Sequence, residues 1–486
     1  MTIGGFRING IGKVLGDTGD VFSSQTSSAN HMDGNTFSNF LTGLQSIECV
    51  GFTNDTTPRP VIVAAVGWGT SNVGGIAQKG GSSIYIVKNV LTCDSSGITN
   101  IYTGGGIHEL EQTALSSVRP VITGKLNGSA SGNTNTSGTS TQEFQIAYTK
   151  GTNDGSGNYT YQVRARNIQV KGTTGDAQHT TNGQTSITGT LDSQTFPTDG
   201  TILDMALTTN TTSKTSLLYR SDTSDNHRQD ILSGSFSTSA APTETNSLSS
   251  STPYSHQGNV RMIGLPDGGC DYRGAMMAAG SDPTAHFFSY NGTTRTTSAA
   301  ATISKTFTGD GSTLDGLVNS IPLLCGVAAN KIVYGVYSPD DNKIYLKCAT
   351  HTFGASCATG STTSGSEFVI DEGYDNAAIV GGFEDDRFYV VAEKNTQGIA
   401  DGNHTSVAQG TYISTFITDG NTIEQVGGTS KHTITGGVIR PQAFNATKFS
   451  HQDIGEYIVA GGSDKNSTSQ TTEHGYLRIQ YLKKVT

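Results

Sequence analysis

The stretch KIVYGVYSPDDNKIYLKCAT, residues 331–350, decides the fold. Ile332, Tyr334 and Val336 alternate with smaller or more polar neighbours, and Ile344 and Leu346 alternate after the break. Period-two alternation over a short run is the pattern of a half-buried strand. Between the two runs lies Ser338-Pro339-Asp340-Asp341-Asn342. Proline presets φ, and Asp and Asn bond their own backbone, so this is a turn. The stretch predicts a hairpin.

Hairpins of this kind recur through the chain. They group into units at 46–106, 119–195, 201–252, 259–309, 320–373, 376–428 and 437–486. Most units read as four strands, whereas the last reads as three. An orphan strand-like segment at 6–14 (FRINGIGKV) stands at the other end of the chain. Residues 23–39, 127–141 and 237–255 are polar and read as loops, and 107–115 (IHELEQTAL) reads as a short helix. The repetition resembles the β-propeller architecture. Seven units of about sixty residues suit a propeller with long loops, other families using roughly 40–50. The resemblance implies an all-β, seven-bladed, single-domain propeller spanning 1–486. It also implies that strand 6–14 completes the last blade, since propellers commonly lock their ring in this way. Closure removes the free sheet edges that an all-β chain of this length must manage. The chain carries no WD dipeptides at blade ends, no kelch double glycine in register, no full sialidase-type Asp box and no complete integrin-like calcium loop. No family's functional residues therefore transfer. A β-helix or a tandem of β-sandwiches is the other all-β architecture, and a β-helix would need a shorter, stricter repeat.

Composition supports many short strands joined by polar loops. The 486 residues include 62 Gly, only 14% are charged and 34% are hydrophobic. The net charge is −10 with no Lys/Arg cluster, which argues against a nucleic-acid surface. The longest compact apolar run, VIVAAV at 61–66, is strand-sized and far short of a membrane span. The N-terminus lacks a charged start followed by an apolar block, so no Sec signal peptide is read there. An extracellular or virion-surface location, reached by another route, is the expectation.

Few residues gather into a chemical pattern. The carboxylates Asp340-Asp341 and Glu384-Asp385-Asp386 fall in hairpin turns, where solvation keeps a carboxylate ordinary, so no catalytic residues are assigned. The segments 153–156 and 310–315 resemble pieces of calcium loops but supply too few oxygens, leaving calcium the one cofactor to test. The eleven His form no HExxH or triad-like grouping, and Gly104-Gly105-Gly106 lacks the Lys-Ser/Thr of a phosphate loop. Trp68, the single Trp, precedes a Gly-rich loop and is the candidate glycan contact. Sequons stand at Asn54, Asn127, Asn135, Asn158, Asn210, Asn291, Asn403, Asn445 and Asn466, each a glycosylation site if the chain is secreted by a modifying host. Cys348 and Cys357 flank a short loop and are the expected disulfide. Cys270 and Cys325 lie in strand-like segments of neighbouring units and are the second candidate pair. The pairing of Cys49 and Cys93 stays open.

These readings converge on a non-enzymatic structural or adhesive subunit of an extracellular filament, fibre, virion appendage or cell-surface assembly. Its partners would be copies of itself or other surface proteins. The runner-up is a carbohydrate-binding or carbohydrate-active propeller with its site at the central channel, where strand ends converge. A cytosolic scaffold is a third reading and requires reduced thiols.

Overall fold

A computed structural model of the chain describes residues 17–30, 47–50, 60–68, 83–102, 107–112, 120–124, 141–153, 155–156, 159–171, 186–187, 202–209, 214–221, 227–233, 243–248, 260–266, 268–278, 282–291, 294–306, 321–358, 360–394, 410–432, 438–451, 453–465 and 475–485. Nearly all of these lie in antiparallel strands. After β1 (Val21–Asn30), sheet one holds β2 (Ile47–Val50), β3 (Val61–Trp68), β4 (Ser83–Asp94) and β5 (Gly97–Tyr102), with β6 (Ile107–Gln112) also pairing with β4. Sheet two is β7 (Val121–Gly124), β8 (Thr141–Asn153), β9 (Tyr159–Lys171) and β10 (Ser186–Ile187). Sheet three is β11 (Ile202–Thr209), β12 (Lys214–Ser221), β13 (His227–Ser233) and β14 (Thr243–Leu248). Sheet four is β15 (Val260–Leu265), β16 (Tyr272–Ala278), β17 (Thr284–Asn291) and β18 (Thr294–Thr302). Sheet five is β19 (Ile321–Ala328), β20 (Lys331–Ser338), β21 (Lys343–His351) and β22 (Thr362–Ser364), and β23 (Phe368–Ile370) pairs with β21. Sheet six is β24 (Asn376–Gly381), β25 (Arg387–Lys394), β26 (Gly410–Thr418) and β27 (Ile423–His432). Sheet seven is β28 (Val438–His451), β29 (Gly455–Lys465), β30 (Gly475–Val485) and, beyond β30, β1.

The sheets are arranged as in a β-propeller. The first strands of successive sheets lie side by side: β7 against β11, β11 against β15, β15 against β19, β19 against β24, and β24 against β28. β2 lies against both β28 and β7. Apolar cores fill the spaces between neighbouring sheets. One core joins sheets five and six through Leu323, Val333, Leu346, Phe388 and Phe416. Others join sheets four and five, three and four, and six and seven. A sheet sandwiched between two others buries both faces, so its inner strands read as continuous apolar runs. Every residue of β24 is buried, and so is every residue of β20 after Lys331. The outer strands alternate instead, as in the Ser/Thr/Gly-rich β27. At roughly 1.5–3 kcal/mol for each large apolar side chain taken from water, these inter-sheet cores hold the assembly together.

The hairpin at 331–350 pairs Lys331 with Thr350 through Ser338 with Lys343. Asn342 takes the left-handed turn position, at φ 54°. The Tyr337 hydroxyl shares its one proton between the Tyr374 carbonyl at 2.9 Å and Asn342 Oδ1 at 3.1 Å, tying the turn to the lead-in of sheet six.

Several expectations need correction. The expected closing strand 6–14 lies outside the described residues. The strand that pairs with β30 is β1, in the stretch read as a loop, with Val21 opposite Val485 and Asn30 opposite Arg478. Its sequence, VFSSQTSSAN, offers one anchor: Phe22, 4% exposed, packs edge-on against Tyr389 at 5.2 Å between ring centres. An outermost strand needs only backbone pairing and one apolar contact, so polarity hid it. The expected helix at 107–115 is strand β6, which takes the edge of β4. β14 falls in the low-complexity loop 237–255 for the same reason as β1. Five sheets have the expected four strands, while sheets one and five each carry a fifth pairing on their third strand.

The segment before β1 straps sheet seven to sheet six. Arg387 on β25 meets Asp17 at 2.6 Å and Asp20 at 3.4 Å, and Lys484 on β30 meets Asp20 at 3.2 Å and Glu456 at 3.0 Å. The Tyr389 hydroxyl donates to Asp20 Oδ2 at 2.6 Å. Gly19 and Gly427 face each other, both at positive φ. A Cβ on Gly427 would fall 1.7 Å from the Thr18 carbonyl oxygen, so only glycine admits this approach.

Candidate functional site

The inner strands converge on one cavity of about 150 Å³. Val260, Met262, Leu323 and Ile379 give it an apolar wall, and Arg261, Asn445 and Thr447 are its polar members. Pockets for organic ligands usually exceed roughly 300 Å³. A few waters fit this cavity, but a sugar ring does not. A ligand would have to sit at a mouth, where side chains from several strands can reach it.

One end of sheet six has the chemistry for this. β24 begins there, β25 ends, β26 begins and β27 ends, and four polar residues stand in register across it. Asn376 is opposite Glu393, Glu393 opposite Thr411, and Thr411 opposite His432. Their exposures are 1%, 4%, 0% and 7%, with the apolar Ala377 and Ala392 and the buried Lys394 as sequence neighbours. The row runs outward from the innermost strand. Strand spacing sets its members about 4.8 Å apart. Thr411 Oγ1 donates to Glu393 Oε1 at 3.4 Å, and Asn376 Oδ1 accepts the Ala377 N–H at 2.9 Å. His432 Nε2 has no hydrogen-bond partner among the described residues, and burial pushes its pKa down, keeping the imidazole neutral at neutral pH. Beside the row, Lys394 donates to the Gly373 carbonyl at 2.6 Å and to Asp375 at 3.1 Å, fixing the segment that feeds β24. Tyr374 and Tyr412 lie 5.3 Å apart, centre to centre, and burial raises the pKa of both hydroxyls. A carboxylate, an amide, a hydroxyl and a neutral imidazole together supply donors and acceptors without a net cation.

Sequence reasoning missed this row. Its members come from four strands, and each is ordinary where it stands. The available signal was a polar residue closing an apolar run, as Glu393 closes FYVVA; His432, at the end of the polar β27, carried no such mark.

The residues singled out from sequence fare differently. Neither expected disulfide forms: Cys357 bonds to Cys270, with Cα atoms 5.6 Å apart, while Cys325 and Cys348 are buried free thiols. β21 turns Cys348 into the core shared with sheet six, where Cys325 also lies. The 3-10 turn Ala355–Cys357 instead reaches sheet four, where the Cys357 carbonyl accepts from Ser289 and Thr296. The two members of each pair expected from sequence thus lie on opposite sides of sheet five. Cys93 is a buried free thiol, its pKa pushed up to about 12 by burial. The backbone of Trp68 ends β3, and its side chain lies outside the described residues. Among the sequons only Asn291 and Asn445 are described. Asn291 is exposed where β17 ends, while Asn445 lines the axial cavity and its Oδ1 accepts the Ala446 N–H, a position with no room for a glycan. Asp341 lies in its turn held by Lys305 at 3.0 Å and Tyr345 at 2.7 Å; partial burial works to raise its pKa, but these bonds and one from Ser338 outweigh it and keep the carboxyl low. Asp386 is paired with Lys331 at 2.5 Å. Residues 310–315 lie outside the described residues. Among the described residues no group of three or more His, Cys, Asp or Glu could hold a metal ion, and no helix is long and apolar enough to cross a membrane.

No family model and no curated protein matches the chain. Solved structures do resemble it. The NanB sialidase of Streptococcus pneumoniae is 9% identical with a TM-score of 0.41, the match covering 96% of this chain and 70% of that one. The N11 neuraminidase-like protein of A/flat-faced bat/Peru/033/2010 (H18N11) is 9% identical with a TM-score of 0.34, covering 96% of both chains. The Trypanosoma rangeli sialidase is 9% identical with a TM-score of 0.39, covering 94% of this chain and 58% of that one. These names correct the main functional expectation. The expected non-enzymatic structural or adhesive subunit, with its corollary that the chain is no enzyme, is not carried forward, because the similar structures named here are sialidases and a neuraminidase-like protein. At such scores the likeness concerns fold alone, and no residue role passes to this chain.

Proposed function

We propose that the chain is a carbohydrate-binding or carbohydrate-active propeller, its ligand held at the mouth of the central channel. The sheets would form a single closed seven-bladed ring, with β1 completing the last blade. The cyclic succession of inner strands and the pairing of β1 with β30 support that ring. The observation that carries the function is the row Asn376–Glu393–Thr411–His432. Burying polar groups costs stability, a carboxylate most of all, and this row gathers a carboxylate, an amide, a hydroxyl and an imidazole at one end of one sheet. A row of mixed donors and acceptors three strand spacings long, about 14 Å, suits the hydroxyls of a glycan of more than one sugar, and it starts at the innermost strand. A protein with a buried disulfide suits an oxidising compartment, where glycans are met.

The test is a glycan array with the full-length protein, run beside a hydrolysis screen with fluorogenic glycosides. Binding or turnover by the wild type, reduced at least tenfold in Glu393→Gln and His432→Ala variants of unchanged Tm, is the expected result. Silence on both screens removes the reading.

A further inference from the structure

We propose that the Cys270–Cys357 bridge is a directed thiol–disulfide exchange site, at which a small thiol of the glutathione class attacks Cys357 and releases Cys270. Arg273 Nε donates to Cys270 Sγ at 3.1 Å, and Arg273 Nη2 donates to the Gly268 carbonyl at 3.1 Å. The guanidinium also lies 4.4 Å from the centre of the Phe353 ring. It is therefore fixed against one sulfur of the bridge. Gly268 wraps this group at φ 50°, where a Cβ would fall 1.9 Å from an Arg273 nitrogen. A cation bonded to a sulfur stabilises its thiolate, and the sulfur with the more stable thiolate is the better leaving group.

Cys357 is suited to the opposite part. It is a non-glycine residue at φ 64°, in the left-handed region that disfavours side chains. Ser289 Oγ at 2.9 Å and Thr296 Oγ1 at 2.8 Å donate to its carbonyl, so the residue stays in place when its sulfur changes partner. The bridge lies just under the surface. Cys270 is 9% exposed and Cys357 4%, while Gly268, Gly269, Ala355 and Ala358 around them are exposed. With access this similar, the Arg273 contact decides the direction.

The incoming thiolate forms a bond to Cys357 Sγ, the Cys270–Cys357 bond breaks, and its electron pair passes to Cys270 as a thiolate held by Arg273. A second thiol attacks the mixed disulfide, releases the Cys357 thiolate and leaves as the oxidised dimer. Two thiols are oxidised and one bridge is reduced. Since Cys270 precedes β16 in sheet four and Cys357 follows β21 in sheet five, opening the bridge removes the covalent link between these two sheets and leaves their shared apolar core.

Native full-length protein incubated with glutathione, acid-quenched and mapped by mass spectrometry tests the direction. The expected adduct is glutathione on Cys357, with Cys270 trapped by iodoacetamide. Adduct on Cys270, or a bridge that opens only when the protein unfolds, overturns the proposal. Arg273→Gln should slow opening by roughly threefold to tenfold, with Arg273→Lys close to the wild type. Equal rates in wild type and Arg273→Gln also overturn it.

Discussion

Lys448 on β28 has its ammonium donating to the Gly382 carbonyl and lying 5.4 Å from the centre of the Phe383 ring. Burial lowers its pKa to about 8, and the fields of Cys325, Glu456 and Asp385 restore only part of the loss. A lysine whose folded pKa lies below its unfolded value opposes folding while both states are charged. Between the folded pKa and the unfolded one, the unfolded chain holds more protons, so stability rises with pH. The window here opens near pH 8 and closes near the ordinary lysine value. Lys448→Met removes the titrating group. The difference in Tm, wild type minus variant, should increase between about pH 8 and 10. Thermal melts of both proteins across that range check it; a flat difference would show that the amine remains solvated in the folded state. The buried Tyr389 works in the other sense. Burial, then the bond to Asp20, raises its pKa, so its neutral hydroxyl persists where an unfolded tyrosine ionises.

At the scale of elements, the strap before β1 joins sheets six and seven through carboxylates and cations whose side chains are only 11–13% exposed. Removing one member of such a network leaves a partner half-desolvated. Asp20→Ala should therefore cost about 2–3 kcal/mol in urea unfolding, more than a surface ion pair of about 0–1 kcal/mol. Hydrogen exchange should accelerate along β1 and β30 while β20 and β21 stay protected. Uniform acceleration across the sheets would show that the strap is no local clasp. The same elements show what could be read beforehand. The 331–350 hairpin and the apolar β24 and β25 announce themselves, because burial on one or two faces writes itself into hydrophobicity. β1 and β14 do not, because an outermost strand draws on backbone pairing, which every residue supplies alike. The row from Asn376 to His432 stayed hidden because its register arises only when four strands pair. The disulfide stayed hidden because proximity in sequence pointed to Cys348, whereas the alternation of β21 turns that thiol to the opposite side of the sheet from Cys357.

For the molecule as a whole, the decisive pairing is Val21 with Val485, which sets the start of β1 beside the end of β30. Without β1, the eleven residues of β30 would present a bare edge, a template for pairing with another copy. A chain lacking residues 1–30 should therefore self-associate or melt well below the full-length protein. A circular permutant separates this from mere loss of mass. Joining the C-terminus to residue 17 through a short turn converts β30 and β1 into an ordinary hairpin, and new termini within 31–46 restore a linear chain. This permutant should be monodisperse by size-exclusion chromatography, with a Tm within a few degrees of the parent, because every sheet is then built from consecutive strands. If the truncated chain is equally monodisperse and equally stable, β1 does not complete the last sheet in solution, and the proposed closure of the ring must rest on the inner strands alone.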